Sequence, residues 1–192
     1  MIEAELKARV QDPDGVRALL LAAAGDPERA EYADAYYDRG GELGRDGREL
    51  RVRTITTDAG AGARTVLTYK GGVVDEASGS KTEAETSVGD RDAVEQLLGG
   101  LAYTVVIAFT KQCENYRLST LSGRAVLATL VQVPEIEGAF LEVETMADGE
   151  DDMREALDEL RALLLDLEIG PDALTTELYT DAVAAARKAP SA

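Results

Sequence analysis

Apolar residues alternate in short runs along this chain before they settle into helical spacing. Residues 2–10 carry Ile2, Ala4, Leu6, Ala8 and Val10 on the even positions, the period of a half-buried strand. Residues 13–24 predict a helix that opens on Pro13 and stops at Gly25. The stretch 31–40 predicts a strand, and a Gly-rich turn at 40–47 leads into the next at 48–56. A Gly/Ala loop, 59–63, joins that strand to 64–71, and the two read as a hairpin. A polar loop at 75–81 precedes a strand at 81–88 and a short helix at 90–100 that ends on glycines. Further strands follow at 103–118, 124–133 and 138–146. The spacing of Met153, Leu157, Leu160, Leu164 and Leu167 predicts a helix over 151–170. Residues 175–188 predict a shorter helix, and 189–192 a frayed tail.

About eight strands, mostly antiparallel, with helices between and after them, predict an α+β fold on a barrel or strongly curved sheet. At 192 residues the chain can bury a core of useful size. Its 45% hydrophobic and 30% charged content is that of a globular protein.

The charged residues keep step with the strands. Glu3, Glu5, Lys7 and Arg9 share one face of the first strand. Arg51 and Arg53 lie opposite Leu50 and Val52, and Lys70 lies opposite Leu67 and Tyr69. Lys81, Glu83 and Glu85 are in step, as are Lys111 and Cys113. Phe140, Glu142 and Glu144 face away from Leu141 and Val143. Solvated faces of a half-exposed sheet account for most such patterns. Two features point elsewhere. The charges are sorted strand by strand, and the opposite faces are apolar enough to be covered by the helices. With helices outside, the charged faces point into the barrel, where eight strands leave room for side chains or one small ligand. Buried charges of both signs need partners or an occupant. A polyphosphate with a divalent cation meets that need. Lysine and arginine take the phosphate oxygens, and carboxylates take the metal.

The net charge of −17 repels nucleic acid and anionic lipid as a whole. An anion is therefore held only where the few cations gather. The absence of histidine excludes His-based triads and His-ligated metals, so any metal is hard and oxygen-bound. Cys113 is the only cysteine, which rules out an intramolecular disulfide and suits a reducing cytoplasm. It is expected as a small neutral filler rather than a nucleophile. No apolar run reaches membrane-spanning length, and no basic-then-apolar leader opens the chain. Tyr36, Tyr37 and Tyr116 are expected to pack, with Tyr37 or Tyr116 the candidates to reach the interior. Arg9 and Arg124 are expected either to join the phosphate set or to lie at the surface.

The ordered set of motifs resembles the CYTH superfamily, which includes class IV adenylyl cyclases and thiamine triphosphatases. "EAELK" is similar to its E-x-E-x-K signature at Glu3, Glu5 and Lys7. "LRVR", "LTYKG", "KTEAE", "KQCENY", "FLEVE" and "ELYTDAV" resemble its later segments in the same order. The resemblance implies a single domain over 1–183 that forms a triphosphate tunnel, an eight-stranded antiparallel closed β-barrel with helices outside and at the C-terminus. It implies Mg2+ or Mn2+ as cofactor and a small organic or inorganic polyphosphate as partner, with neither nucleic acid nor membrane, in a monomer or homodimer. By the same likeness Glu3, Glu5, Glu142 and Glu144 bind metal. Lys7, Arg51, Arg53, Lys70, Lys81 and Lys111 bind phosphates, and Glu83 and Glu85 orient them. Glu5, Lys7 and Lys111 are the implied catalytic residues, for triphosphate hydrolysis or ATP cyclisation to cAMP. Two positions depart from the family pattern. Cys113 stands where a second base of K-x-R is usual, and Val131 where a metal-binding aspartate is usual. Glu135 and Glu137 are the candidate replacements for that acid. These losses leave open a tunnel that binds a phosphorylated metabolite or diphosphate ester without turnover.

Overall fold

The computed structural model describes residues 1–58 and 62–189. Part of the predicted loop at 59–63 and most of the predicted tail at 189–192 lie outside the described residues. Eight strands form a closed antiparallel barrel: β1 (Ile2–Val10), β2 (Glu28–Asp38), β3 (Glu49–Thr57), β4 (Ala63–Val73), β5 (Lys81–Val88), β6 (Thr104–Ser119), β7 (Ala125–Gln132) and β8 (Ala139–Ala147). Their order around the barrel is β1-β5-β4-β3-β2-β6-β7-β8. The hairpin predicted from 48–71 is the β3–β4 pair, with Val52 opposite Leu67. β1 pairs with β8 along its whole length, Ile2 opposite Ala147 and Val10 opposite Ala139. On its other side β1 meets β5 only through Ile2–Thr82 and Glu3–Lys81, and that short seam closes the barrel. Closure leaves only the two edges along this seam partly open, and Leu174 and Thr175 cover β1 there through bonds to Ala8 and Lys7.

Period-2 alternation then sorts the side chains. The even residues of β1 point outward into the main core with Leu141 and Val143 of β8 and Ala128 and Leu130 of β7. Two helices cover that face. α1 (Pro13–Ala24) contributes Val16 and Leu20, and α4 (Glu150–Asp166) contributes Met153, Leu157, Leu160 and Leu164. α1 starts where Asp12 accepts from the Gly15 amide, with Pro13 just behind the cap. It stops at Gly25, whose φ of 76° lies in the left-handed region that favours glycine. α3 (Arg91–Gly100) covers a second outer patch by packing Leu98 against Ala35, Tyr37 and Val52. A short α2 (Glu42–Arg45) interrupts the turn predicted at 40–47, held by Asp38, whose carboxylate accepts from the Leu43 and Gly44 amides.

The last helix is shorter than its sequence predicts. α5 spans Tyr179–Lys188, while residues 175–178 run extended. The Thr175 amide donates to the Lys7 carbonyl, and Ala8 bridges to Leu174, so the chain is tied to β1 just before it enters the helix.

Leu160 is fully buried between α4 and the barrel, whereas Leu165 on the same helix is exposed. Leu160→Ala is expected to cost about 2–5 kcal/mol in urea unfolding, and Leu165→Ala less than about 0.5 kcal/mol.

Candidate functional site

The odd residues of β1 point into the barrel, and every strand adds its own inward set. The cavity they line measures about 240 Å3. Seven lysine and arginine side chains and seven glutamates line it, so the interior is close to charge-balanced and the −17 resides on the outer surface. This arrangement answers the alternating charges of the sequence: they face the lumen because helices cover the other side. Glu3, Glu5, Lys7, Arg51, Arg53, Lys70, Lys81, Glu83, Glu85, Lys111, Glu142 and Glu144 all line this one cavity.

The two signs are not mixed evenly. Glu5 and Glu144 stand directly opposite each other on β1 and β8, with Glu3 next along. Glu3, Glu5 and Glu144 each bring a carboxylate oxygen to within 4.8 Å of the others. Burial pushes all three above the ordinary glutamate range, Glu144 furthest, and repulsion adds to it from Glu83 at Glu3, from Glu142 and Glu3 at Glu5, and from Glu3 and Glu5 at Glu144. An all-oxygen triad with excess negative charge fits a hard divalent cation and no soft one. Lys70 reaches this triad from β4. Its Nζ pairs with Glu3 and lies 3.5 Å from Glu5 and 3.3 Å from Glu83.

Glu142 is two residues from Glu144 and behaves oppositely. Burial alone would raise it, but the Lys111 and Lys7 ammonium groups hold it below the ordinary range. Lys7 and Lys111 themselves make no ion pair within 4.0 Å and lie 4.7 and 4.2 Å from the Tyr179 ring centre. Arg51 is buried, with 9% of its surface exposed. It donates only to Thr68 Oγ1, at 3.3 Å, and its Nε has no partner. Among the described residues, then, Lys7, Lys111 and Arg51 are inward cations without a carboxylate of their own. A buried guanidinium without a counter-ion is costly unless an anion joins it.

Besides Lys70, two other lumen cations are already held. Arg53 forms a two-pronged pair with Asp34 at 2.6 and 2.7 Å. Burial would raise Asp34, yet the Arg53 guanidinium holds it below the ordinary aspartate range. Lys81 pairs with Glu49 at 2.5 Å. Glu85 accepts from Thr68 Oγ1 at 2.8 Å, which makes Thr68 a link between Glu85 and Arg51.

Several secondary expectations resolve. Arg9 pairs with Glu177, and Arg124 with Asp152 and Glu159, so neither lines the cavity. Tyr37 and Tyr116 face the outer cores, because each stands on the outward phase of its strand. Tyr32, Tyr36 and Tyr179 line the cavity instead. A register shift after Tyr36 in the β2–β6 pairing separates it from Tyr37. Cys113 and Val131 are direct cross-strand partners, and Val131 also pairs with Phe140. The two departures from the family pattern therefore form a single apolar patch with Phe109, Phe140 and Tyr179. Burial pushes the Cys113 thiol up to about 12, so it is a neutral filler. Glu135 does not replace the missing acid: it pairs with Arg187 of α5 at 2.6 Å, and Glu137 is exposed. Asp34, Glu49 and Tyr179 were not singled out in the sequence. Asp34 alternates with Tyr32 and Tyr36, and Glu49 with Arg51, so strand parity carried the signal for both.

Asp34→Ala strands a buried guanidinium and is expected to cost about 3–5 kcal/mol in denaturant unfolding. The acid triad sets a pH dependence of the opposite sign to an ordinary ion pair. Its carboxyls titrate above their ordinary value of 4.5, so the stability of the metal-free protein is fully present below that pH and lost as pH rises through the shifted values. Mn2+ competes with those protons. The rise in Tm on adding Mn2+ is expected to be larger at pH 8 than at pH 5, and equal shifts would contradict the assignment.

Three comparisons bear on this geometry. The CYTH domain family model matches residues 1–179. The chain is 24% identical over 187 residues to "Putative adenylate cyclase MJ0240" of Methanocaldococcus jannaschii, covering 94% of this chain and 98% of that protein. The solved PH1819 protein of Pyrococcus horikoshii OT3 is similar at 25% identity and a TM-score of 0.83, covering 97% of this chain and 99% of its own. The solved Hippeastrum protein HpAC1, described as a putative adenylyl cyclase with a dominant triphosphatase activity, shares the fold at 16% identity and a TM-score of 0.63, with 96% of each chain covered. A charged eight-stranded tunnel and a family match over nearly the whole chain agree: this protein belongs to the CYTH domain family.

Proposed function

We propose that this chain is a metal-dependent enzyme acting on a triphosphate, organic or inorganic, bound inside the barrel, with residues 1–183 as one functional unit. The observation that carries the reading is the segregation of the lumen: the unpartnered cations Arg51, Lys7 and Lys111 share one cavity with the acid triad Glu3, Glu5 and Glu144. A polyanion that brings a divalent cation satisfies both groups together.

Glu3, Glu5 and Glu144, with Glu142 beside them, would hold Mg2+ or Mn2+. The ion would neutralise phosphate charge and orient the phosphoryl oxygens. Lys7, Arg51 and Lys111, with Arg53, Lys70 and Lys81, hold the phosphate oxygens. In hydrolysis a water oxygen bonds to the terminal phosphorus while the bridging P–O bond breaks. In cyclisation the ribose 3′-oxygen bonds to the α-phosphorus and pyrophosphate leaves. In either reaction Lys7 and Lys111 stabilise charge growing on non-bridging oxygens, and Glu5 helps position the reacting group. Asp34 keeps the Arg53 fork fixed, which lowers the cost of ordering it around the ligand. The triphosphatase activity described for HpAC1 and the cyclase name of the M. jannaschii relative support the two chemistries. On this reading the protein works in the cytoplasm on a small molecule rather than on nucleic acid or membrane. No described helix is long and apolar enough to cross a bilayer.

A second reading rests on the Cys113–Val131 pair. Both charged positions of the family pattern are apolar here and touch across β6 and β7. That supports a tunnel that binds a phosphorylated metabolite without turnover.

One panel separates the readings. Purified protein with Mn2+ is offered ATP, thiamine triphosphate and tripolyphosphate, and phosphate, pyrophosphate and cAMP release are measured. The enzyme reading expects turnover of at least one substrate. It also expects Arg51→Ala and Lys7→Ala to raise KM, and Glu5→Ala and Glu142→Ala to lose metal-dependent turnover with the fold retained by circular dichroism. Binding with no turnover favours the second reading.

A further inference from the structure

Lys70 occupies the position a bound cation would need. Its ammonium pairs with Glu3 and lies 3.5 Å from Glu5, and these two carboxylates belong to the triad with Glu144. Its third contact, Glu83 at 3.3 Å, stands outside the triad. The side chain is 15% exposed, so these carboxylates supply most of its polar contact. The backbone holds it there. The β4–β5 register slips between Lys70 and Val73, and a Cβ at Gly71 would collide with Thr82 Oγ1. Lys70 therefore leaves β4 at a fixed place and reaches across β5 to β1.

An ammonium and a divalent cation cannot share these oxygens. At a given distance a dication repels Lys70 twice as strongly as a monocation does, and the low-dielectric lumen screens it poorly. The displaced ammonium has a second anionic destination close by. Lys70 stands opposite Glu49 on β3, two positions from Arg51 on the same inner face, so phosphate oxygens bound at Arg51 lie on its side of the lumen.

We propose that Lys70 is the resident counter-ion of the Glu3–Glu5–Glu144 triad, that a divalent cation displaces it, and that the freed ammonium then takes phosphate oxygens beside Arg51. The inference rests on the metal site proposed above. It makes metal and polyphosphate binding cooperative: each raises affinity for the other by the same factor. Lys70 is thus a coupling residue as well as a phosphate ligand. Without phosphate, the metal must displace it toward Glu83 and Glu49 alone, and Glu49 is already paired with Lys81.

The test uses the wild-type full chain and amine acylation by acetic anhydride, read by peptide mass spectrometry at Lys70. Acylation is expected to be slow in EDTA, several-fold faster in Mn2+, and slow again in excess Mn2+ with tripolyphosphate. Lys81, whose ammonium pairs with Glu49 rather than with a triad carboxylate, is expected to keep its rate when Mn2+ alone is added. Calorimetry supplies the second readout: Lys70→Met is expected to bind Mn2+ about tenfold more tightly than wild type at pH 8 without phosphate. If wild type binds Mn2+ while Lys70 acylation stays unchanged, the inference fails and the metal site stands. If no Mn2+ binds to wild type, both fail. Should Lys70→Met not fold, the wild-type labelling decides alone.

Discussion

Neutralisation of charge inside a closed barrel is the constraint on which the rest of this structure depends. Strand alternation drives every second residue of eight strands into one lumen, and many of those residues are ionised. The fold tolerates this in two ways. Some charges are matched within the protein, as Arg53 is by Asp34 and Lys81 by Glu49. Others are not: Arg51, Lys7 and Lys111 make no ion pair among the described residues, and the three carboxylates of the acid triad share the single ammonium of Lys70. The matched pairs make a rigid frame, and the unmatched groups make a demand for ligand. A fully paired interior would be a structural core and nothing more.

The environment divides chemically identical residues. Glu142 and Glu144 sit two positions apart on one strand, yet Lys111 and Lys7 hold the first ionised while the crowd of Glu3 and Glu5 burdens the second. The same logic separates the cations. Lys70 is engaged by three carboxylates, whereas Lys111 sits on the face of Tyr179 and acts on Glu142 without a direct ion pair among the described residues. These differences arise from which strands become neighbours when the barrel closes.

The Cys113–Val131 patch belongs to the same account. Removing a cation and an acid together at cross-strand positions leaves no orphaned charge, so the lumen stays balanced. Phe109, Phe140 and Tyr179 fill the region with apolar contact. The charged cavity is thereby bounded on one side by an apolar wall.

Alternation along β1, β3, β5 and β8, together with helix spacing in 151–167, was enough by itself to say which residues share a face and that helices cover the apolar side. It was also enough to gather nearly all of the lumen's charged residues, because parity in a strand is a local property. The tertiary structure alone decided who meets whom. Asp34 meets Arg53 across the β2–β3 pair, and Glu49 with Lys81 and Lys70 with Glu3 join strands that are not consecutive in the chain. The start of the last helix only at Tyr179 depends on bonding of the preceding residues to β1. Pairing energies and burial shifts come from distances across a closed lumen, and no local pattern along the chain encodes those distances.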